Sequence, residues 1–593
     1  MAPVHRKVFQ IGFNKCGTKF LTELFQMNGL PGLHWLGGRL AEDIAYSKAV
    51  GRPPLQPWID QTVLFTDMES VHRYGAPMLE GFKEYEFLDR ACPGAIFVLN
   101  TRNVYDWINS RYMHQGGEYA HFHATHVGVS LPDLAEIWYA DWERHLAGCR
   151  AYFKGRPEFV DIDIDTARPE DYRDIFGQWF DLKHCPDLPD EKVIDSRAAY
   201  LPGLQKMLWA DDSEHSFSAD EIEQTARQMA EFARPARLHN GPEGYRAASL
   251  MVAHFDAATK TGLDRAGNRL PLAQDENGVY LTDRRADKFQ RTATTISQIA
   301  RHSRDGKFVI DMQDARRVGT PGKRVGHPVI AYCRRQGAEN VFLWPLPGYH
   351  TIGASNFPGQ RVSDSLAFAD KVDRAVWRGA LSGNCSDVVA GHFHDAVEGP
   401  ISVIAGTPPD SPESRAAQDL LSRNIRFAFV ETHAGAADID AALTPDEQTR
   451  AALERIGKTH LTDSFRRPAF FHRYRYMISL RGNDTGSNFL LGANSNSVVL
   501  KEEDGWELFY SFLFRPWQHY IPLAPGAGDI LDKLDWARRN PEKCQAMSQD
   551  ARRQCLKLAD RNIRNRYLEL TVAAYQESCR EHAPKARPEP ERP

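Results

Sequence analysis

The sequence predicts an α/β protein: an N-terminal domain with a parallel sheet and an anion-binding loop, followed by a body of two Rossmann-like lobes. Three observations predict it. A buried-strand pattern at Lys7 to Gly12 passes through a loop bearing Lys15 and Gly17 into helical spacing from Phe20 to Met27. From Phe289 onward, helical and strand patterns alternate. The 593 residues exceed what one core supports, and ordinary domain sizes divide such a chain into about three or four units.

Composition narrows the function classes. With 73 basic and 78 acidic side chains the net charge is −5, which gives no general attraction to nucleic acid or anionic membrane, so any anion site must be local. Apolar residues make up 42% and aromatics 11%, enough to bury substantial cores. The nine cysteines show no CxxC and no Cys/His spacing suited to zinc, which points to a reducing compartment. MAPVHRKVFQIGFN runs directly into a strand without an apolar h-region, and no apolar run is long enough to span a bilayer. The expectation is a cytoplasmic protein without an integral membrane segment, with peripheral membrane contact left open. APKARPEPERP, residues 583–593, reads as a disordered tail.

In the first domain, residues 1–190, the loop Phe13 to Lys19 aims backbone N–H groups and a helix N-terminus at one point. Gly12 and Gly17 have the spacing of GxxxxGK[ST], but Thr18-Lys19 reverses the last pair. A second apolar strand, Ala95 to Asn100, leads to Arg102, with Ser110 eight residues later on the following helix. Arg102 and Ser110 would give a phosphate an arginine fork and a hydroxyl. Asp161, Asp163 and Asp165 resemble a DxD metal motif, but their strict alternation reads as a half-exposed strand.

Lys15 before Gly17, with Arg-x7-Ser after a strand, resembles the sulfotransferases that use adenosine 3'-phosphate 5'-phosphosulfate. Phe65-Thr66-Asp67 and Trp107 also look like that family's elements, and the resemblance covers about 190 residues. It implies a P-loop-like sulfotransferase domain in which Lys15 stabilises the leaving phosphate oxygen. Gly17, Thr18 and Lys19 would cradle the 5'-phosphate, and Arg102 and Ser110 would hold the 3'-phosphate. A base must take the acceptor proton. The candidates are His34 and Asp67, ranked first, then Glu69 and the group His121, His123 and His126, for which a solvated loop is the plainer reading. Cys16, at a helix start, reads as a small residue that fits the loop.

Prolines and charges at Cys185 to Lys192 and Tyr200 to Gly203 mark residues 191–216 as a linker. Ser218 and Glu221 then form a capping box before the apolar stripe Ile222, Ala226, Met229, Ala230 and Ala233. Beyond it the expected elements are a helix at Phe289 to Arg301, strands at Phe308 to Met312 and Pro328 to Tyr332, and a helix at Glu413 to Leu421. The blocks Trp377-Arg378-Gly379, Tyr474 to Gly482, Ser487, Ser495 to Lys501 and Pro516 to Leu523 follow.

In this order the blocks resemble family 90 glycosyltransferases, the group of capsule-associated proteins and protein O-glucosyltransferases, over about 350 residues. The resemblance implies a two-lobed GT-B glycosyltransferase across 217–582: acceptor lobe 217–355, donor lobe 356–560, and a C-terminal helix crossing back. It also implies a nucleotide-sugar donor, taken as UDP-linked, inversion at the anomeric carbon and no metal. Fixed cations and hydroxyls must then neutralise the diphosphate, and Arg378, Arg481 and Ser487 supply them, with Gly379, Gly482 and Gly486 allowing close backbone approach. Asp314, after the strand KFVID, resembles the strand-end aspartate that is the family's base. Ala315-Arg316-Arg317 follow it where the family has an aromatic residue and proline. Asp311 is the fallback base. Trp506, Phe509, Tyr510, Phe512 and Trp517 read as core before sugar platform, and Lys501 to Asp504 as a solvated turn.

Together these readings give a bifunctional transferase adding a sugar and a sulfuryl group to a polysaccharide, lipopolysaccharide or glycolipid, as in polysaccharide biosynthesis. The alternative is an active glycosyltransferase with a non-catalytic sulfotransferase-like binding module.

Overall fold

The computed structural model describes residues 6–71, 78–187, 217–239, 252–264, 266–282, 289–314, 317–346, 364–385 and 396–582. The linker 191–216, the lobe boundary near 355, Ala315, Arg316 and the tail 583–593 lie outside the described residues. The chain is mixed α/β, with parallel sheets in two compact units.

The first unit is built on β1 (Val8–Gln10), α1 (Thr18–Met27), β2 (Gly32–His34), α2 (Arg39–Val50), β3 (Leu64–Thr66), β4 (Ile96–Thr101), α3 (Val104–Tyr112), α4 (Glu118–Val127), α5 (Leu134–Tyr152), β5 (Phe159–Asp163) and α6 (Pro169–Phe176). The sheet order is β2-β3-β1-β4-β5, with every pairing parallel. Successive residues of a strand face opposite sides. Phe9, Phe65, Phe97 and Leu99 accordingly join one core with Trp107, Trp138 and Trp142, while Val8, Leu64, Ile96 and Val98 join another with Leu24, Phe25 and Phe176. Both faces are covered, as a parallel sheet requires. Asp161 and Asp163 are exposed in β5 between buried Val160 and Ile162, the half-exposed strand expected.

Because β1 lies between β3 and β4, chain connections diverge at its carboxyl end, where open α/β sheets place ligands. The boundary at 217 needs one adjustment. Residues Gly262–Gln298 belong to the first unit, where the hairpin Leu272–Gln274 and Tyr280–Thr282 packs on α2.

The second unit begins with α7 (Ala219–Ala233), whose Ser218–Glu221 capping box forms as expected. Its first sheet holds β6 (Val252–Asp256), β8 (Lys307–Asp311), β9 (Val329–Ala331) and, beyond β10 (Cys333–Arg335), β11 (Val341–Leu343), with β7 (Thr261–Leu263) at the edge, where the chain passes from this unit to the first at Gly262. The order is β11-β9-β8-β6-β7, with β8–β9 and β9–β11 parallel and β6–β8 antiparallel. The second sheet holds β12 (Val372–Gly379), β13 (Ile439–Leu443), β14 (Tyr474–Ser479), β15 (Val498–Glu502) and, beyond β16 (Trp506–Leu508), β17 (Ile521–Leu523). It is parallel throughout, in the order β13-β12-β14-β15-β17. A ribbon of β10 and β16 joins residues from the two halves of the unit. The last helix, α8 (Arg561–His582), packs on α7 and bonds the first sheet, Tyr567 donating to Leu343 O at 2.8 Å and Tyr575 to Pro328 O at 3.0 Å. No described helix is long and apolar enough to cross a membrane.

Candidate functional site

The loop after β1 is shaped by three backbone demands. A Cβ on Gly12 would lie 2.4 Å from both Asn100 O and Asn100 Oδ1, so only glycine fits there. Lys15 and Gly17 adopt the left-handed region, φ 64° and 80°, a conformation that strains Lys15 and suits glycine. Asn100 donates from Nδ2 to Cys16 O, Trp107 from Nε1 to Asn14 O at 3.0 Å, and Arg102 from Nη1 to Lys15 O at 3.2 Å. The predicted pair of loop and Arg102 thus meets at the ends of β1 and β4. Helix α1 starts at Gly17 with no side-chain cap and no acid in its first turn, leaving the positive helix end and its N–H groups for an anion. Thr18 is buried there, Lys19 exposed, and Ser110 half-buried two turns into α3.

His34 and Asp67 arrive beside the loop from the ends of β2 and β3. His34 Nδ1 lies 3.0 Å from Thr66 Oγ1, and Nε2 lies 3.5 Å from Asp67 Oδ2. Asp67 is held at φ 54°, its N–H donating to Gln10 Oε1 at 3.0 Å. Burial, then the charges of Lys19 and Lys15, push His34 down to about 4, so its ring is neutral at pH 7. Burial pushes the Asp67 carboxyl up, against the pull of Lys15. Burial likewise pushes the Lys15 ammonium down, against the pull of Asp67. A cation, a neutral imidazole and a carboxyl of raised proton affinity therefore share one corner, which is equipment for moving a proton beside a departing anion.

Burial, then the charge of Asp67, push the nearby Glu69 carboxyl up. It is buried and accepts from Asn14 Nδ2 at 2.6 Å and Tyr119 Oη at 3.2 Å, with Arg111 Nη2 3.6 Å away. Arg111, fully buried over the rings of Trp107, Trp138 and Tyr119, also donates to Asn14 Oδ1 at 2.9 Å. Glu69 and Arg111 thus frame Asn14 of the loop from the buried side. The segment holding His121, His123 and His126 is helical, on α4, where a loop was expected. Trp138 Nε1 donates to His123 Nδ1 at 3.3 Å, and burial pushes that buried ring far down. Cys16 is buried and its thiol pushed up by burial, the small loop-filling residue expected.

In the second unit the two predicted arginines have different fates. Arg378 spends its guanidinium inside the fold: Nε donates to Asp463 Oδ2 at 2.7 Å, Nη2 to Asp440 Oδ1 at 2.7 Å, and Nη1 to Trp377 O and Asp440 O. These contacts make Arg378 a clamp between β12, β13 and the chain at Asp463, where the sequence reading gave it a donor-binding role. The Gly379 position is tight because a Cβ would come within 2.6 Å of the Trp377 ring. Arg481 instead lies beyond the end of β14, in a loop held by its neighbours. Its backbone N–H donates to Glu502 Oε2 at 3.0 Å, and Arg426 donates from Nε to Arg481 O at 2.8 Å and from Nη1 to Ala380 O at 2.8 Å. A Cβ on Gly482 would lie 2.5 Å from Ser382 Oγ and 2.8 Å from Arg426 Nη2. Ser487 is exposed in the same loop.

Arg481 has company that sequence reasoning missed. Burial, then the charges of Arg335 and Arg481, push Arg317 down, and burial pushes Arg335 down against the pull of Asp504, with the charge of Arg481 adding to it. Three guanidinium groups repel one another in a half-buried place, which an anion would relieve. Arg335 is aimed by stacking on Trp506 at 5.2 Å. Asp314 follows β8 by three residues, half-buried, and Tyr332 donates to its Oδ1 at 3.0 Å. Asp311 is buried, and its Oδ1 accepts from Gln313 N at 3.0 Å, so the fallback base is a turn cap. Trp506, Phe509 and Tyr510 are core, while Trp517 is 45% exposed. Glu502 is fully buried at the end of β15, where a solvated turn was expected.

With this geometry in view, the family comparison covers the loop of Arg481. Residues 423–577 match glycosyl transferase family 90. Arg481, Ser487 and Glu502 lie inside that segment, Asp314, Arg378 and the whole first unit outside it. The chain is 26% identical over 112 residues to protein O-glucosyltransferase 3 of Mus musculus, covering 19% of this chain and 22% of the relative. It is 32% identical over 79 residues to protein O-glucosyltransferase 2 of Danio rerio, covering 13% and 16%. It is 25% identical over 186 residues to the uncharacterized protein 035R of Invertebrate iridescent virus 3, covering 31% and 15%. The chain thus spans less than a quarter of each of these relatives. The likenesses are thus to glycosyltransferases over part of this chain, residues 423–577 for the family model.

Proposed function

We propose that the second unit is a GT-B, inverting, metal-independent glycosyltransferase. It would use a UDP-sugar and act on a polysaccharide, lipopolysaccharide or glycolipid. The observation that carries this reading is the hydroxyl of Tyr332, which links Asp314 to Asp484 in the loop that also carries Arg481. A candidate base and a candidate donor-binding cation are thereby joined within one unit. In the reaction the acceptor oxygen forms its bond to the anomeric carbon as the bond to the diphosphate breaks on the opposite face. The acceptor proton goes to Asp314, and Arg481, Arg317 and Arg335 meet the charge growing on the diphosphate. Asp314→Asn keeps the shape and removes the base. UDP release from UDP-glucose and other UDP-sugars, with saccharide acceptors, should fall by about 10²- to 10⁴-fold, and unchanged release would reject the assignment.

For the first unit we propose sulfuryl transfer from adenosine 3'-phosphate 5'-phosphosulfate. Lys15, Gly17, Thr18 and Lys19 would hold the 5' side, and Arg102 with Ser110 the 3'-phosphate. The acceptor oxygen attacks sulfur, the sulfur–oxygen bond to the 5'-phosphate breaks toward Lys15, and the proton passes to the His34–Asp67 pair. The convergence of Lys15, His34 and Asp67 at three adjacent strand ends supports an active site over a passive binding module. Lys15→Ala should abolish transfer of labelled sulfur. A wild type that transfers none would reject the reading.

A further inference from the structure

We infer that Tyr332 is a positioning residue for the proposed glycosyl transfer: its hydroxyl fastens Asp314 to Asp484, and so sets the base against the loop that carries Arg481. This rests on the reading of Asp314 as the base. Tyr332 donates to Asp314 Oδ1 at 3.0 Å and also contacts Asp484 Oδ2. A phenol carries one hydrogen, so the two carboxyl groups compete for it. The carboxyl that does not receive it must present its own proton to the phenol oxygen or turn aside. The hydroxyl therefore senses both acids at once.

Both ends of this link are stiff. Tyr332 is 1% exposed and sits between β9 and β10, each paired with a neighbouring strand. Asp484 is buried, and its carbonyl accepts from Gly482 N at 3.1 Å, while Asn483 Oδ1 accepts from Gly383 N at 3.1 Å. The loop is further clamped by Arg426, which donates to the carbonyls of Leu480 and Arg481. A carboxylate tied to such a point keeps its direction when substrates arrive, which is what orientation of a base requires. Arg426 also balances the charge of Asp484, and the Tyr510 hydroxyl feels the same carboxylate.

Tyr332→Phe keeps the ring and removes only the oxygen. UDP affinity by calorimetry, and KM for the UDP-sugar, should stay within about twofold of wild type while kcat falls by about 10- to 100-fold, the usual cost of a misplaced group. Asp484→Asn should behave alike, and the double variant should be no worse than the poorer single one because both remove one link. A wild-type kcat in Tyr332→Phe, or losses that multiply in the double variant, would overturn the inference. A second measurement needs no acceptor. In protein labelled with 13C at tyrosine Cζ, the resonance missing from Tyr332→Phe is that of Tyr332, and it should move in both Asp314→Asn and Asp484→Asn. A resonance unmoved in either variant would also overturn the link. Full turnover by Asp314→Asn with the resonance moved would instead reject Asp314 as base and leave the link standing.

Discussion

Arg481→Met is the sharpest probe of the donor site. Methionine keeps much of the apolar stem of arginine and removes the charge. The fold should tolerate it, because the bond from position 481 to Glu502 is made by the backbone N–H, and Glu502 Oε1 also accepts from Gly526 N at 3.0 Å. The guanidinium lies 3.6 Å from that buried carboxylate and is 17% exposed, so it is only partly neutralised. Removing it should also ease the repulsion felt by Arg317 and Arg335. If Arg481 contacts the diphosphate, a charge-assisted bond of about 1.5–3 kcal/mol is lost, and UDP should bind about 10- to 150-fold more weakly by titration calorimetry. Added salt should weaken wild-type binding more than that of the variant. Arg378→Met is the contrast: it breaks the contacts to Asp440 and Asp463 and should lower the melting temperature while leaving the UDP affinity of the folded protein intact. UDP binding by Arg481→Met within twofold of wild type, with the protein folded, would refute the reasoning.

Gly12→Ala would press a methyl group against Asn100, whose backbone cannot withdraw; a loss of about 1–3 kcal/mol in urea unfolding is expected, with loss of binding to adenosine 3',5'-bisphosphate. Lys371→Met should cost about 3 kcal/mol by the same assay, since Lys371 and Asp364 pair at 2.6 Å with both side chains fully buried. The low end of the range applies because Asp364 Oδ2 keeps the N–H of Asn496 at 2.8 Å. For His34 the sign follows from its depressed pKa. Between the folded value of about 4 and an unfolded value of about 6.5, the unfolded chain binds a proton that the folded ring refuses, so stability rises with pH across that window. His34→Gln should remove this rise, by at most about 3 kcal/mol, and melting curves at pH 4.5 and 6.5 that respond identically in both proteins would contradict it.

The sequence by itself determined the features written in short-range pattern. Helix Phe289–His302, strands Lys307–Asp311 and Val329–Ala331, helix Pro412–Leu421 and the Ser218 cap all lie within a few residues of their expected places, because strand and helix repeats and capping boxes are local signals. The loop at Lys15 and its meeting with Arg102 were legible for a related reason: each ends a buried strand, and parallel strands carry their ends to one edge. Tertiary structure alone decided which charged groups remain available for a ligand. Arg378 and Arg481 each stand beside a glycine at or beyond a strand end, yet Arg378 is consumed by Asp440 and Asp463 while Arg481 is gathered with Arg317 and Arg335. The partners that decide this lie far off in the chain: 62 and 85 residues from Arg378, and 152 between Tyr332 and Asp484. A side chain's charge is visible in the sequence. Whether that charge is already neutralised depends on which distant segments the fold brings within hydrogen-bonding distance, and residue spacing along the chain carries no record of that.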